Sequence, residues 1–178
     1  MYKEIINFWF TELDQAQWWQ KDVAFDAMIK RGFGSLHQQA KCGELFNWRL
    51  SALGSLAEVI ILDQFSRNIY REKPESFACD PLALALAQVA IAKGFDREVP
   101  PTKRSFFYLP FMHSESKLIH IEAVKLFESL GDPSNLEFEH KHKAIIDRFG
   151  RYPHRNTILG RESTPEEIEF LKQPNSSF

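Results

Sequence analysis

Cysteine is scarce in this chain of 178 residues, where only Cys42 and Cys79 occur. Their separation is not that of a metal-ligand motif, and two isolated thiols are typical of a reduced cytoplasmic protein. The N-terminal residues lack a cationic stretch followed by an apolar run, so no secretion signal is expected. The longest nearly apolar runs, at 56–62 and 82–92, are too short to span a bilayer. The sequence therefore predicts a cytoplasmic protein with no membrane partner.

Several familiar catalytic and phosphate-binding motifs are also missing. The sequence has no Gly-rich phosphate loop, no His-Glu-x-x-His, no paired Cys-x-x-Cys and no Gly-x-Ser-x-Gly elbow. Three histidines, His113, His142 and His154, could meet in the folded chain, but their spacing matches no recognised metal motif. We therefore predict neither a metal nor any other cofactor.

The charges are unevenly distributed along the chain. The net charge is −2, which gives no general attraction to nucleic acid or to acidic membranes. Residues 140–162 carry six Lys and Arg against two acidic residues, a net of +4, which leaves −6 on the remainder. Because no nucleic-acid docking motif accompanies this basic segment, we expect a small anion or a peptide as its partner.

Helix signals dominate the sequence, and strand alternation is scarce. Hydrophobic residues make up 44% and aromatic residues 13%, which excludes a disordered chain. The length favours one domain over residues 1–178, with two very small domains as the alternative. Apolar runs predict helices at 5–10 and about 102–109, and further helix starts are predicted at Asp22, Ser51, Asp80, Ser114, Asp132 and Thr164. We therefore predict an all-α fold of seven or eight helices joined by short turns.

The first polar segment that calls for an explanation closes the helix that opens at Ser51. That helix is apolar on nearly every face, so we expect it at the centre of the core. At its end, Asp63 and Arg67 are four residues apart and can pair, while Gln64 and Arg67 can point into one site. The alternative is a helix end with one ion pair and a solvated turn, since charged residues at the end of a buried helix usually have a packing role.

The second segment places His113 and Glu115 on either side of Ser114, a predicted helix cap. A carboxylate at a helix N-terminus is favoured by the helix dipole, and it could orient the imidazole. His113 and Glu115 would then form an acid–base pair or two metal ligands. The alternative, which capping preferences favour, is a cap serine followed by a charged first turn.

The third segment begins at His142. Ile145, Ile146 and Phe149 follow at +3, +4 and +7, so His142 lies on the apolar face of its helix and points inward. An inward histidine needs a hydrogen-bond partner. It is either a satisfied core residue or a catalytic or ligand-binding group, since perturbed titratable groups concentrate at functional clefts.

The stretch after this helix is rich in planar hydrogen-bond donors. Arg151 and Arg155 can bind a carboxylate or a phosphate through two parallel hydrogen bonds, and His154 and Asn156 add neutral groups. The alternative is that the arginines pair with the chain's own carboxylates and clamp the C-terminal segment onto the body. The candidate partners for such a clamp are Asp63, Asp80, Glu115 and Glu162.

These segments resemble the bacterial proteins grouped as domain of unknown function 924, within the tetratricopeptide-repeat-like helical superfamily. The resemblance spans nearly the whole chain and rests on Asn7-Phe8-Trp9-Phe10, Leu62-Asp63-Gln64-Phe65-Ser66-Arg67-Asn68, Phe77 with Asp80-Pro81-Leu82-Ala83, Lys93-Gly94-Phe95-Asp96, Leu109-Pro110-Phe111-Met112-His113-Ser114-Glu115, His142, Arg148-Phe149-Gly150-Arg151-Tyr152-Pro153-His154-Arg155-Asn156 and Leu159-Gly160-Arg161-Glu162. It implies an α–α superhelix and supplies no reaction. His120 stands where the resemblance leads us to expect Gln.

The sequence therefore predicts a polar pocket that binds a small carboxylate or phosphate, with acid–base catalysis left open. The candidate catalytic residues are His142, His113 and Glu115. The candidate ligand-binding residues are Asp63, Gln64, Arg67, Arg151, His154, Arg155 and Asn156. Two alternatives remain: a helical module that binds a protein or peptide without catalysis, and a buried polar clamp with a structural role only.

Overall fold

The structure is a computed structural model that describes residues 1–174, 176 and 177, and none of these lies in a strand. The helices are α1 (Tyr2–Asn7), α2 (Val23–Lys41), α3 (Ala52–Ile60), α4 (Ser66–Ile69), α5 (Asp80–Ala92), α6 (Pro101–Met112), α7 (Lys117–Leu130), α8 (Pro133–Phe149) and α9 (Pro165–Leu171). A π turn at Ile61–Phe65 joins α3 and α4 into one continuous helical rod, of which they are the two arms. With this rod counted once, the described part of the chain holds eight helices. The all-α prediction is confirmed.

The chain divides into two compact units. Unit 1 comprises Met1–Arg71 and Glu75–Pro110, and unit 2 comprises Glu72–Pro74 with the chain from Phe111 onward. A single domain over residues 1–178 and a superhelical arrangement stay predictions.

Most of the predicted helix starts are confirmed by their caps. The side chains of Asp22, Ser51, Asp132 and Thr164 each accept a hydrogen bond from an amide in the first turn of the helix that follows. In each case a side-chain oxygen accepts a hydrogen bond from a backbone amide that has no partner within the helix. These residues therefore fix where the helices begin.

Two predicted caps are wrong by one or two residues. Ser114 lies in the turn after α6, with its amide bonded to the Phe111 carbonyl, and Ser116 caps α7 instead. Asp80 is the first residue of α5 rather than its cap, which is Cys79. The Asp80 carboxylate accepts two hydrogen bonds from Arg67.

Two π turns interrupt the helices of unit 1, and the periodicity of the sequence did not predict either. The chain continues from α1 into a π turn at Phe8–Glu12 and from α3 into one at Ile61–Phe65. The Phe65 ring centroid lies 5.5 Å from that of Trp9 and 6.2 Å from that of Phe8, so the two π turns pack against each other. Such turns are rare and often mark functional positions.

Helix α3 lies at the centre of unit 1, as predicted. All of its residues except Leu53 are buried, including Glu58, whose side chain is inaccessible to solvent. In unit 2, Ala123 and Phe127 of α7 and Ile146 of α8 are fully buried. The aromatic core that the composition predicted is concentrated around Trp9, Phe65 and Phe106.

One segment of the described chain, Pro74–Ala92, is long and apolar enough by composition to cross a membrane, with a mean hydropathy of 1.3 over its most apolar window. The sequence analysis treated only residues 82–92 as apolar and judged them too short. In the structure the segment contains a short 3-10 turn, a break and α5. A single such segment is weak evidence, since core helices pass the same test.

Gly54 allows the chain before α3 to lie directly on that helix. A Cβ atom at this position would stand 2.2 Å from the carbonyl oxygen of Trp48, far inside contact distance. The 3-10 turn Phe46–Leu50 can therefore approach α3 only where the side chain is a hydrogen atom. This approach brings Arg49 over the buried carboxylate of Glu58.

Replacing Gly54 with Ala is expected to destabilise the protein by roughly 2–3 kcal/mol, because the added methyl overpacks the helix against a backbone atom. Gly34→Ala, in the middle of α2, is the matched control. Nothing lies within 4 Å of a Cβ there, so Ala should raise stability by about 0.5–1 kcal/mol. Urea unfolding of both variants gives the comparison, and a Gly54→Ala protein as stable as the wild type would contradict the close approach.

Candidate functional site

Tyr152 lies at the centre of the polar residues of unit 2. Its side chain is fully buried, and its hydroxyl donates a hydrogen bond to the Met112 carbonyl at 2.5 Å. Its ring centroid is 5.8 Å from that of His142, 5.5 Å from that of His154 and 4.5 Å from the guanidinium carbon of Arg155. Three of the predicted site residues therefore converge on a tyrosine that the sequence analysis did not single out.

His142 points inward, as its spacing predicted, and is only 7% exposed. Its Nδ1 donates to the Phe138 carbonyl at 2.7 Å. Burial, together with the neighbouring imidazoles of His113 and His154, lowers the pKa of His142 to about 3. At neutral pH the ring is therefore uncharged, with a hydrogen atom on Nδ1 and a lone pair on Nε2.

A buried histidine–glutamate pair supports the Tyr152 site. His120 and Glu139 are inaccessible to solvent, with 2.7 Å between the imidazole Nδ1 and the carboxyl Oε1. His120 Nε2 lies 2.9 Å from the Ser114 carbonyl and 3.3 Å from the Tyr152 hydroxyl. Burial raises the pKa of Glu139, whose Oε2 has no hydrogen-bond partner.

In the sequence, His120 stands out only as a departure from the expected Gln, and Glu139 was not predicted to be a site residue. The helical spacing that places His142 on the buried face of α8 also places Glu139 on that face. Glu139, His142 and Ile146 share one face of α8, at 0, +3 and +7. A carboxylate on the buried face of a helix implies a buried partner.

Glu115 holds the loop after α8 in place. Its two oxygens accept hydrogen bonds from the guanidinium of Arg161 at 2.7 and 2.9 Å, and Oε1 also accepts one from the Tyr152 amide at 2.7 Å. Burial by itself would raise the pKa of Glu115, but the bonds from Arg161 and the amide lower it below its usual value. A carboxylate with these bonds is a poor proton acceptor, so the geometry favours an anchoring role for Glu115.

Arg151 and Asn156 belong to a second anchor, built on Glu167. Arg151 donates to the two carboxylate oxygens of Glu167 at 2.7 and 2.8 Å, and Asn156 donates to one of them at 3.3 Å. The Glu167 carboxylate also accepts from the Thr164 amide, which completes the capping box at the start of α9. The hydrogen bonds from Arg151 hold the pKa of Glu167 at about 2.

These two anchors match the clamp that the sequence analysis kept as an alternative, with one partner changed. Arg161 pairs with Glu115, which was among the predicted carboxylates. Arg151 pairs with Glu167, whereas Glu162 accepts from Arg151 only through its backbone carbonyl. The excess positive charge of residues 140–162 is thus largely matched by carboxylates of unit 2.

The remaining predicted residues lie in unit 1. Arg67 stands 3.3 Å from the Asp63 carboxylate, so the predicted i,i+4 pair is confirmed, and it also grips Asp80 with two bonds of 3.0 Å. The Gln64 amide donates to the Asp63 carboxylate. Asp63 and Gln64 are almost fully buried. Within unit 1 these residues form a closed cluster of charge and amide groups at the π turn.

Among the residues that the structure describes, no group of three or more His, Cys, Asp and Glu side chains is arranged to hold a metal ion. The side chains around Tyr152 are imidazoles, a guanidinium and two carboxylates.

The described part of the chain is all-helical, and this places the protein in the all-α fold class. The family is shown by sequence: the chain belongs to the bacterial proteins of unknown function DUF924, whose sequence model matches residues 5–175. A solved structure of a protein of unknown function from Agrobacterium tumefaciens, ATU0120, has 40% identity to this chain, covers 96% of each chain and superimposes with a TM-score of 0.92. None of the curated proteins compared with this chain matches it.

Replacing Glu167 with Gln should lower the free energy of unfolding at pH 7 by roughly 1–2 kcal/mol, because it removes the charge of a buried carboxylate that is hydrogen-bonded to the partly exposed Arg151. The folded-state pKa of Glu167 is about 2 and its ordinary value is 4.5, so its contribution is complete above pH 4.5 and disappears as the pH falls toward 2. Wild type and variant should therefore converge in acid, as measured by denaturant unfolding across this range.

Glu169→Gln is the matched control on the same helix. Glu169 pairs with Lys172 on the surface, where both side chains are well exposed. Its loss should change stability by less than about 0.5 kcal/mol at any pH. A Glu167→Gln difference that persists unchanged at pH 2 would show that Arg151 does not act through the ionised carboxylate.

Proposed function

We propose that the protein binds a small carboxylate or phosphate beside Tyr152, in unit 2. The observation that carries the proposal is that three imidazoles and one guanidinium surround a buried tyrosine. Arg155 lies over the Tyr152 ring, His142 and His154 flank it, and His113 and His120 are near enough to affect the charge of His142.

The balance of charge around Tyr152 favours an anion. Of the two carboxyl groups close to it, Glu115 is bound by Arg161, and burial raises the pKa of Glu139 and so disfavours its ionised form. Imidazoles that are near one another suppress each other's protonation. An anion beside them would remove this repulsion, and the guanidinium of Arg155, which also has contacts within the chain, is of the planar kind that binds carboxylates and phosphates.

This proposal narrows the predicted ligand-binding set. His113, His142, His154 and Arg155 contact the anion, whereas Glu115, Arg151 and Asn156 hold the loop that carries them. Asp63, Gln64 and Arg67, in unit 1, are not part of it. If a reaction takes place, His142 is the acid–base group, because an anion beside it moves its pKa from about 3 toward the neutral range where proton transfer is efficient.

The test is a binding titration with inorganic phosphate and with malonate, followed by calorimetry and by NMR of the histidine ring signals. Affinity should rise as the pH falls, since a bound anion stabilises the protonated imidazoles, and the pKa of His142 should increase on saturation. Arg155→Gln and His154→Gln should each weaken binding by about tenfold or more, which corresponds to about 1.4 kcal/mol.

His140→Gln is the control, because His140 is an exposed residue of the same helix, α8. It should bind both anions as the wild type does. The ring of His37, a buried histidine of unit 1, should show no change in its NMR signals. Absence of binding to well-folded wild-type protein at millimolar anion, or equal weakening by His140→Gln, would overturn the proposal.

A further inference from the structure

The hydrogen bonds around His120, in unit 2, leave the position of one proton open. His120 Nε2 lies 2.9 Å from the Ser114 carbonyl, and a carbonyl oxygen only accepts, so Nε2 carries a hydrogen atom. The Tyr152 hydroxyl donates to the Met112 carbonyl at 2.5 Å, so its oxygen can accept from the same Nε2 at 3.3 Å. These two hydrogen atoms are therefore fixed by carbonyl groups. A third lies between Nδ1 of His120 and Oε1 of Glu139, which are 2.7 Å apart.

This third proton has two possible positions, and the His120–Glu139 pair is electrically neutral in both. On Oε1 it makes a neutral acid beside a neutral imidazole. On Nδ1 it makes a carboxylate beside an imidazolium. Because both side chains are inaccessible to solvent, the proton passes from one to the other directly along their hydrogen bond.

The surroundings of Glu139 favour the neutral acid. Within the described part of the chain its Oε2 has no hydrogen-bond partner, and an ionised carboxylate with a bare, buried oxygen is costly. Burial accordingly raises the pKa of Glu139. Besides His120, the cationic groups that act on Glu139 are His140 and Lys143 of the same helix, and Lys143 is already paired with Asp147. The proton therefore rests on Glu139 as long as no further charge is brought near.

The imidazolium form of His120 places positive charge beside Tyr152. The two ring centroids are 6.4 Å apart, and a charge on His120 also acts on His142. Glu139 and the Tyr152 hydroxyl lie at different nitrogens of the His120 ring, so a proton that leaves Glu139 for Nδ1 carries positive charge toward Tyr152. A negative charge beside Tyr152 stabilises this form, because an opposite charge nearby favours the protonated imidazole.

We propose that the His120–Glu139 pair is a proton switch for the anion site: the proton lies on Glu139 in the ligand-free protein and on His120 when an anion is bound beside Tyr152. In this step the O–H bond of Glu139 breaks, an N–H bond forms at Nδ1 of His120, and no proton is taken from solvent. The imidazolium then makes a stronger, charge-assisted hydrogen bond from Nε2 to the Tyr152 oxygen. This role rests on the function proposed above, and both residues act on the ligand through charge without touching it.

The experiment is an NMR titration of the full chain with inorganic phosphate and with malonate at a fixed, neutral pH. The histidine rings are labelled with ¹⁵N and the glutamate carboxyl groups with ¹³C. Before the anion is added, Glu139 should give the signal of a protonated acid and His120 that of a neutral ring. As the site saturates, the two signals should change together to those of a carboxylate and an imidazolium, with the same midpoint as the calorimetric binding curve.

Glu139→Gln is the diagnostic variant, because an amide can donate a hydrogen bond to Nδ1 of His120 but cannot give up a proton. His120 should stay neutral at every anion concentration, and the affinity for both anions should fall about tenfold. Calorimetry in two buffers should show the same proton uptake for this variant and the wild type. Glu137→Gln, on the same helix, is the matched control, because Glu137 is an exposed residue that pairs with Lys141. Its affinity and its His120 signals should equal those of the wild type.

Binding of an anion to the wild type with no change at His120 and Glu139 would overturn the switch and leave the anion site standing. An ionised Glu139 in the ligand-free protein would also overturn it, as would equal affinities of Glu139→Gln and the wild type. An additional proton taken up from solvent by the wild type would do the same. If neither anion binds to well-folded wild-type protein, the anion site and the switch both fail. The signals of the wild type decide the question even if Glu139→Gln does not fold.

Discussion

A carboxylate held by both nitrogens of an arginine fork is the interaction on which the loops of this protein depend. It occurs between Arg49 and Glu58 in unit 1 and between Arg151 and Glu167 in unit 2, and in each case the carboxylate is buried and the guanidinium partly exposed. A helical bundle needs no such pairs to bury its apolar faces. Here they attach segments without regular hydrogen bonding to the helices, because two parallel bonds fix both the distance and the orientation of a loop.

Arginine–carboxylate pairs also neutralise much of the positive charge of the basic C-terminal segment. Counted along the sequence, residues 140–162 look like a surface that attracts anions. In the folded chain, Arg148, Arg151 and Arg161 face Glu166, Glu167 and Glu115. What distinguishes the Tyr152 site is therefore not its number of arginines but the kind of groups beside the ring. Imidazoles can change charge in response to a ligand, whereas the arginines in the anchors cannot.

Local signals in the sequence predicted the helices well, and the long-range partners poorly. Asp22, Ser51, Asp132 and Thr164 act on amides two or three residues away, so their effect can be read from the neighbouring sequence. The inward position of His142 follows from the same short-range geometry. By contrast, Glu115 and Arg161 are 46 residues apart, and Glu139 meets a histidine on another helix, so no spacing rule could pair them. The close approach at Gly54 and the central place of Tyr152 likewise depend on tertiary packing alone.

The π turn at Ile61–Phe65 has a consequence for how this chain can vary in length. A π turn contains one residue more than the α-helical turn it replaces, so it accommodates an insertion locally and leaves α3 and α4 on their original faces. Removal of one residue there would convert the rod into a continuous α-helix without turning Arg67 away from Asp80. The same deletion in the middle of α7 would rotate all that follows by about 100° around the helix axis. A single-residue deletion should therefore be tolerated at this one place in the buried rod, while its two arms are intolerant of one.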